Sequence, residues 1–345
     1  MRFWIVLAVV LLTIGCTGKE PPTEPRPVTL CFAGDVTFDY AVKKTLAANI
    51  DPFCEVKSFI PHADLAVFNL ETAITTNSVK MVKSFNFKSP PEVLSLITNA
   101  GFDIATIANN HSMDYGWAGL NETIGALKDY QIEYGGAGSN LAAASVPLYK
   151  EVNGIKIAFL FYGYVNPPSL YAGTNKPGIA PLDSVAMTKA ITAARTNADF
   201  VTVIVHWGDQ YEDYPNAFQT TLGHNLIDAG ADLVIGHHPH VLEGIEYYGN
   251  GAIFYSIGNF VFPQWADVRM MYSALVWVVL EKKDGKVIPK YEVMPLLRDY
   301  EYYYPDITTA AEEKTIMAHW TKISKGQAVF KKGGTLGEMF YSVIK

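Results

Sequence analysis

Leu233-Val234-Ile235-Gly236-His237-His238-Pro239-His240 is an apolar run that ends in a loop carrying three imidazoles within four positions. A short run of branched residues bounded by glycine reads as a buried strand. Three histidines on one loop are costly to explain by packing and have the chemistry of metal ligands. Pro239 restricts the loop and helps fix the separation of His238 and His240.

The same design recurs along the chain. Residues 28–33 run into Gly34-Asp35, 65–68 into Asn69-Leu70-Glu71, 104–108 into Asn109-Asn110-His111, 201–205 into His206-Trp207-Gly208, and 252–255 into Ser256-Ile257-Gly258-Asn259. Five of the 8 histidines therefore lie just past the carboxyl end of an apolar strand. In an open α/β sheet those ends line one crevice, so residues far apart in sequence converge there. Helical patterns at 40–49, 91–100, 119–130, 183–196 and 217–229 separate the strands, and this alternation predicts a layered α/β domain. After residue 240 the texture changes to strands at 272–281 and 287–294 joined by a turn at 283–286, then a peripheral helix at 307–323.

The amino terminus reads as a targeting segment. Arg2 precedes an apolar stretch, 3–14, too short to span a bilayer, and Leu12-Thr13-Ile14-Gly15-Cys16 is similar to a lipoprotein cleavage box, with Thr13 where leucine is usual. The expectation is a signal peptide of lipoprotein type over 1–15 and a lipidated Cys16 that holds the protein on the outer face of the cell membrane. Residues 16–27 would be a proline-rich tether, 28–300 the folded domain and 301–345 a helical extension. The 27 basic and 34 acidic residues give a net charge of −7 with no basic run, which argues against nucleic acid as a partner. Without a C-x-x-C pair, Cys31 and Cys54 form either a disulfide or two free thiols.

Asp35 is placed as a first carboxylate ligand or as a turn residue, and Glu71 as a ligand or a surface carboxylate. In Asn109-Asn110-His111 an amide oxygen can coordinate a cation while the imidazole stays free to move protons, and Asp114 is placed to orient that imidazole. His206 is either a ligand or the partner of a backbone carbonyl. Tyr115, Trp117, Trp207, Tyr211, Tyr214 and Trp265 either pack in the core or line a groove.

Taken together, the ordered motifs Gly34-Asp35, Asn69-Leu70-Glu71, Asn110-His111, His206-Trp207-Gly208, Gly236-His237-His238-Pro239-His240 and Ser256-Ile257-Gly258-Asn259-Phe260 resemble the CapA family of bacterial poly-γ-glutamate capsule proteins, over about residues 28–265. The resemblance implies a four-layer α/β/β/α sandwich of metallophosphatase type and one or two divalent cations of the Mn, Zn or Fe class. It would make Asp35 a ligand of one cation, Glu71 a bridge, Asn110, His206 and His237 or His238 ligands of the other, His240 a ligand of the first, and His111 a general acid oriented by Asp114. Two positions depart from the phosphatase pattern: Thr37 stands where a histidine is usual, and Glu71 where an aspartate is usual. The function implied is synthesis, transport or anchoring of poly-γ-glutamate or a similar anionic surface polymer, as a metal-dependent hydrolase of phosphoester or γ-glutamyl amide bonds. The rival reading is a non-catalytic, polymer-binding accessory of a membrane synthase, with Lys80, Lys83 and Lys88 offsetting polymer charge; a third is a secreted phosphodiesterase or nucleotidase.

Overall fold

A computed structural model describes residues 26–263 and 266–345. The export segment, Cys16, nearly all of the tether and Trp265 lie outside the described residues. No described helix is long and apolar enough to cross a membrane. Cys31 and Cys54 are free thiols, the first buried.

The predicted strand ends divide between two sheets rather than lining the edge of one. In the 10-stranded sheet, strands Val28–Val36, Leu65–Leu70 and Ile104–Thr106 are parallel neighbours, in a register that sets Asp35 beside Asn69 and Asn69 beside Thr106. The long hairpin Tyr272–Lys283 and Lys286–Arg298 extends this sheet antiparallel to Val28–Val36. In the 6-stranded sheet, Phe200–His206 lies between Ile155–Gly163 and Leu233–His237, all parallel, with His206 level with both Gly163 and His237.

Side-chain alternation in the Ile155–Gly163 strand explains how the sheets stack, because successive residues of a strand point to opposite faces. Ile157, Phe159 and Phe161 join the large core shared with the first sheet, while Ala158, Leu160 and Tyr162 join a second cluster. That second cluster is completed by Met187 and Ile191 of helix Ser184–Arg195 and by Leu222 and Leu226 of helix Ala217–Asp228. On the far side, helices Leu94–Ala100 and Gly116–Asp129 bury Leu94, Ile97, Leu120 and Leu127 against the first sheet. The layers are therefore helix, sheet, sheet, helix.

Where the two sheets meet at the strand ends, their backbones touch. A Cβ on Gly163 would lie 2.0 Å from the carbonyl oxygen of Ala108, the residue just before Asn109. The carboxyl-terminal segment departs from the expected helical extension: helix Ala310–Ile323 forms, but Val329–Gly334 and Gly337–Ile344 make a hairpin that pairs with Lys286–Arg298. Burial of Phe340 and Val343 supplies the reason, since an apolar face of that strand is covered by the first sheet's core.

One buried residue, Glu243, joins the helices Ala310–Ile323 and Ala217–Asp228 through its backbone carbonyl and its carboxyl respectively. Trp320 Nε1 donates to the Glu243 carbonyl at 2.9 Å, and Glu243 Oε2 accepts from Gln219 Nε2 at 2.7 Å, while Oε1 makes no hydrogen bond. Burial raises the Glu243 carboxyl from 4.5 to about 8, against the Gln219 bond and helped by Asp209, Asp213 and Glu212. A carboxyl whose folded value lies above its unfolded one binds more protons when folded, so its contribution to stability is fully present below about pH 4.5 and is lost as pH rises through about 8. Urea denaturation should therefore show stability falling between about pH 5 and about pH 8, by up to ~1.4 kcal/mol per pH unit from this group. Glu243→Gln should flatten that slope; an unchanged slope in the variant would contradict the assignment.

Candidate metal centre

The carboxyl ends of both sheets deliver their polar residues to one buried place. Asp35 is the penultimate residue of strand Val28–Val36, whose end is held by the bond from the Asp35 N–H to the Gly258 carbonyl at 3.1 Å. Glu71 is placed next to it because its N–H donates to the Val36 carbonyl at 2.8 Å. From the second sheet, His206 closes its strand, and His238 and His240 extend from the turn beyond Leu233–His237 with φ of 99° and 61°. Non-glycine residues rarely occupy that region, and such strain gathers where a site must be held rigidly. Pro239 lies between them, and the two rings are 5.8 Å apart.

Two groups of ligand-type atoms result, each within 4.8 Å of one another: Glu71, His206 and His238 in one, Asp35, Glu71 and His240 in the other. Glu71 belongs to both. Asn110 Oδ1 lies 2.7 Å from His206 Nε2 and so borders the first group. His237 lies outside both; its Nδ1 is 3.1 Å from Asp35 Oδ1, which makes it a partner of the carboxylate. The double histidine is thus separated by geometry into one residue facing the group and one behind it.

Three of these buried atoms, Asp35 Oδ2, Glu71 Oε1 and His238 Nδ1, make no hydrogen bond. Orphaned polar atoms are costly in a dry interior, and three converging here fit a site whose partner is a cation. Burial pushes the Glu71 carboxyl well above the usual range, with the Asp35 charge adding to it. Burial would also raise Asp35, but the His237 and His240 imidazoles beside it outweigh that and hold the carboxyl well below the ordinary value. Burial, then the neighbouring His238, holds His206 well below its usual value, and burial followed by His240 brings His238 down to about 3. Both imidazoles are therefore neutral near pH 7, the state in which they ligate metals. The donor set, carboxylate, imidazole and amide oxygen, suits a divalent cation of the Mn, Zn or Fe class.

His111 sits beside this centre in a different role. Its Nε2 is 3.8 Å from Glu71 Oε1, while its Nδ1 is 2.7 Å from Asp114 Oδ2. Asp114 is in turn fixed by the Phe87 N–H and the Lys83 ammonium, each donating at 2.6 Å, and Phe87 stacks on the imidazole at 4.1 Å. Burial lowers the His111 imidazole, and Asp114 opposes that. The ring is thereby locked with one nitrogen turned toward the carboxylate both groups share.

Sequence reading did not single out the asparagines behind these residues. Asn109 donates to Asn69 Oδ1 at 2.9 Å and to the Leu70 carbonyl at 2.8 Å, and its Oδ1 accepts from the N–H groups of His111 and Ser112. It ties the His111 turn to the end of strand Leu65–Leu70, just before Glu71. Asn69 donates to Asp35 Oδ1 at 2.8 Å, and Asn259 Oδ1 lies 2.9 Å from His240 Nδ1. Each occupied a strand end, the one available signal, but an amide there reads equally as a cap. Thr37, the noted departure from the phosphatase pattern, is buried, and its hydroxyl oxygen accepts from the Asp39 N–H at 3.3 Å. Trp207 is wholly buried and donates to the Tyr255 carbonyl, so its role is packing.

The sequence profile described as bacterial capsule synthesis protein PGA_cap matches residues 29–264. The chain belongs to this family. Among its relatives, a protein of Bacillus subtilis (strain 168) named PGA biosynthesis protein CapA is 36% identical over 314 residues, covering 89% of this chain and 81% of its own length. The capsule biosynthesis protein CapA of Bacillus anthracis is 32% identical over 349 residues, covering 96% and 84%. A solved structure described as a novel phosphatase from Mycoplasma pneumoniae superposes with a TM-score of 0.51 at 15% identity, covering 82% of this chain and 95% of that one. The chain thus has the four-layer α/β/β/α fold that the family resemblance implied, shared with that phosphatase structure. The 29–264 match spans every residue of both ligand groups and of the His111 network.

Proposed function

We propose that this capsule-family protein is a metal-dependent hydrolase acting at the outer face of the cell membrane in the making or attachment of poly-γ-glutamate or a similar anionic polymer. The observation that carries the hydrolytic reading is the pair of ligand groups joined through Glu71 with His111 turned toward that shared carboxylate. Asp35, Glu71 and His240 would hold one cation, and Glu71, Asn110, His206 and His238 the other. Cations held there would supply Lewis acidity to the scissile group and make water a nucleophile near neutral pH. Asn69, His237 and Asn259 orient the ligands, and Asp114 holds the His111 ring so that Nε2 delivers a proton to the departing oxygen or nitrogen. A purely structural cation site has no use for an imidazole held behind a carboxylate in this way, which weighs against a non-catalytic accessory role.

The polymer and the membrane enter through relatives named for capsule and PGA biosynthesis and through the apolar segment 3–14 before Gly15-Cys16. A membrane synthase is the natural partner for such a tethered hydrolase. The test is a panel of phosphomonoesters, phosphodiesters and γ-glutamyl amides offered to purified protein with and without chelator, alongside polymer yield in cells and mass spectrometry of the membrane fraction. Chelator-sensitive turnover of one class and an acylated amino-terminal Cys16 are expected. No turnover on any class would return the protein to the accessory reading, and an intact Met1 would remove the anchor.

A further inference from the structure

A cavity of about 400 Å³ opens directly onto His111 and His240, and its walls are aromatic. Tyr40, Phe85 and Phe87 form one wall: Tyr40 meets Phe85 edge-on at 6.1 Å and Phe87 at 5.2 Å. Tyr211 and Phe262 form the other, Tyr211 lying at 29° to the His240 ring and Phe262 4.6 Å from it. Phe87 and Phe262 meet edge-on at 5.5 Å and close the floor. Among the described residues, no lysine, arginine, aspartate or glutamate lines the cavity.

Two features mark these rings as held for a ligand. Tyr40 and Phe85 keep 46% and 60% of their surface exposed, although aromatic rings of this size gain most by burial. Tyr40 and Tyr211 both adopt left-handed backbone, φ 47° and 70°, and each is fastened there, the Tyr40 N–H by Asp39 Oδ1 at 2.6 Å and the Tyr211 N–H by the Pro239 carbonyl at 2.8 Å. Two strained aromatic residues, Tyr211 tied to the loop that carries His238 and His240 and Tyr40 tied to Asp39, make a preorganised apolar subsite beside the reacting centre. A bare poly-γ-glutamate chain, with a carboxylate on every unit, would meet aromatic rings and no charged side chain along the described walls.

Building on the hydrolase reading, we infer that the molecule hydrolysed here carries a neutral planar ring next to the scissile bond, lodged between Tyr40 and Phe85 on one side and Tyr211 and Phe262 on the other. The substrate class is thus a small aryl or heteroaryl phosphoester rather than the polymer backbone. Water adds to phosphorus, the ester P–O bond breaks, and the proton held at His111 goes to the leaving oxygen of the ring-bearing group.

Isothermal calorimetry with Mn²⁺-loaded protein separates this inference from turnover. Phenylphosphonate should bind about tenfold more tightly than methylphosphonate, the scale of one or two ring-stacking contacts, and more tightly than hexylphosphonate. Phe85→Ala and Tyr40→Ala should each erode the preference while leaving methylphosphonate affinity and metal content unchanged. Equal affinities for the three probes, equal binding of the phenyl and hexyl compounds, failure of all three to bind, or a preference that survives both substitutions would overturn the aromatic subsite. Ring-selective binding without turnover of any ester would leave the subsite standing and remove the hydrolase reading. Turnover without ring preference would do the reverse.

Discussion

His111→Ala should lower turnover by about 10²–10⁴, the usual contribution of a positioned general acid, while metal content and the melting transition stay close to wild type. The reasoning is geometric: His111 is in neither ligand group, and its ring is held from behind by Asp114, Lys83 and Phe87. Its effect should depend on the leaving group. A nitrophenolate departs without a proton, so the variant should lose much less on nitrophenyl esters than on alkyl esters. Asp114→Asn, which leaves the ring in place but weakens its orientation, should cost about 10–100-fold, as outer partners of a metal site usually do. Equal losses on both leaving groups would show that His111 supports the fold rather than supplying a proton, and steady-state kinetics on matched ester pairs would decide it.

Glu71→Ala should strip the protein of both cations, whereas His238→Ala should strip one. Glu71 is the residue common to the two groups, and its Oε1, without a hydrogen bond, lies 3.8 Å from His240 Nε2 and 4.0 Å from His206 Nε2. Elemental analysis of protein purified under identical conditions should therefore read about two ions in wild type, about one in His238→Ala and near none in Glu71→Ala, with activity in the last below that of His111→Ala. Glu71→Ala that keeps a full complement of metal would remove the bridge from the scheme.

Much of this arrangement was legible in the chain because each apolar run ended in a residue with chemistry. Asp35, Glu71, Asn110, His206, His238 and His240 do meet at one place, and His111 with Asp114 does stand next to them. What sequence could not supply was depth. The strand Ile155–Gly163, next to the edge of the second sheet, ends in no ligand and so carried no chemical signal; the two-sheet layering came from the family resemblance and not from the strand pattern. The two adjacent histidines, His237 and His238, differ only in the turn that follows them, and the φ of 99° at His238 is what sends their rings apart. Asn69, Asn109 and Asn259 were visible, but the partners that define their work come from 34, 40 and 19 residues away in the chain. The hairpin after Ile323 depends on a sheet edge formed by residues 286–298, a contact no local pattern announces.

The missing side chain at Gly163 has a wider meaning. Ligands from one sheet and ligands from the other behave as the two jaws of a vice, and the backbone contact between Gly163 and Ala108 is its stop. The gap in which Asn110 faces His206 is set by that stop, one residue pair away from the chemistry and with no polar side chain of its own. The tolerance of the centre is in this sense mechanical: its bite is calibrated by an absent methyl group, and a drift in how the two layers close would be felt by every ligand at once.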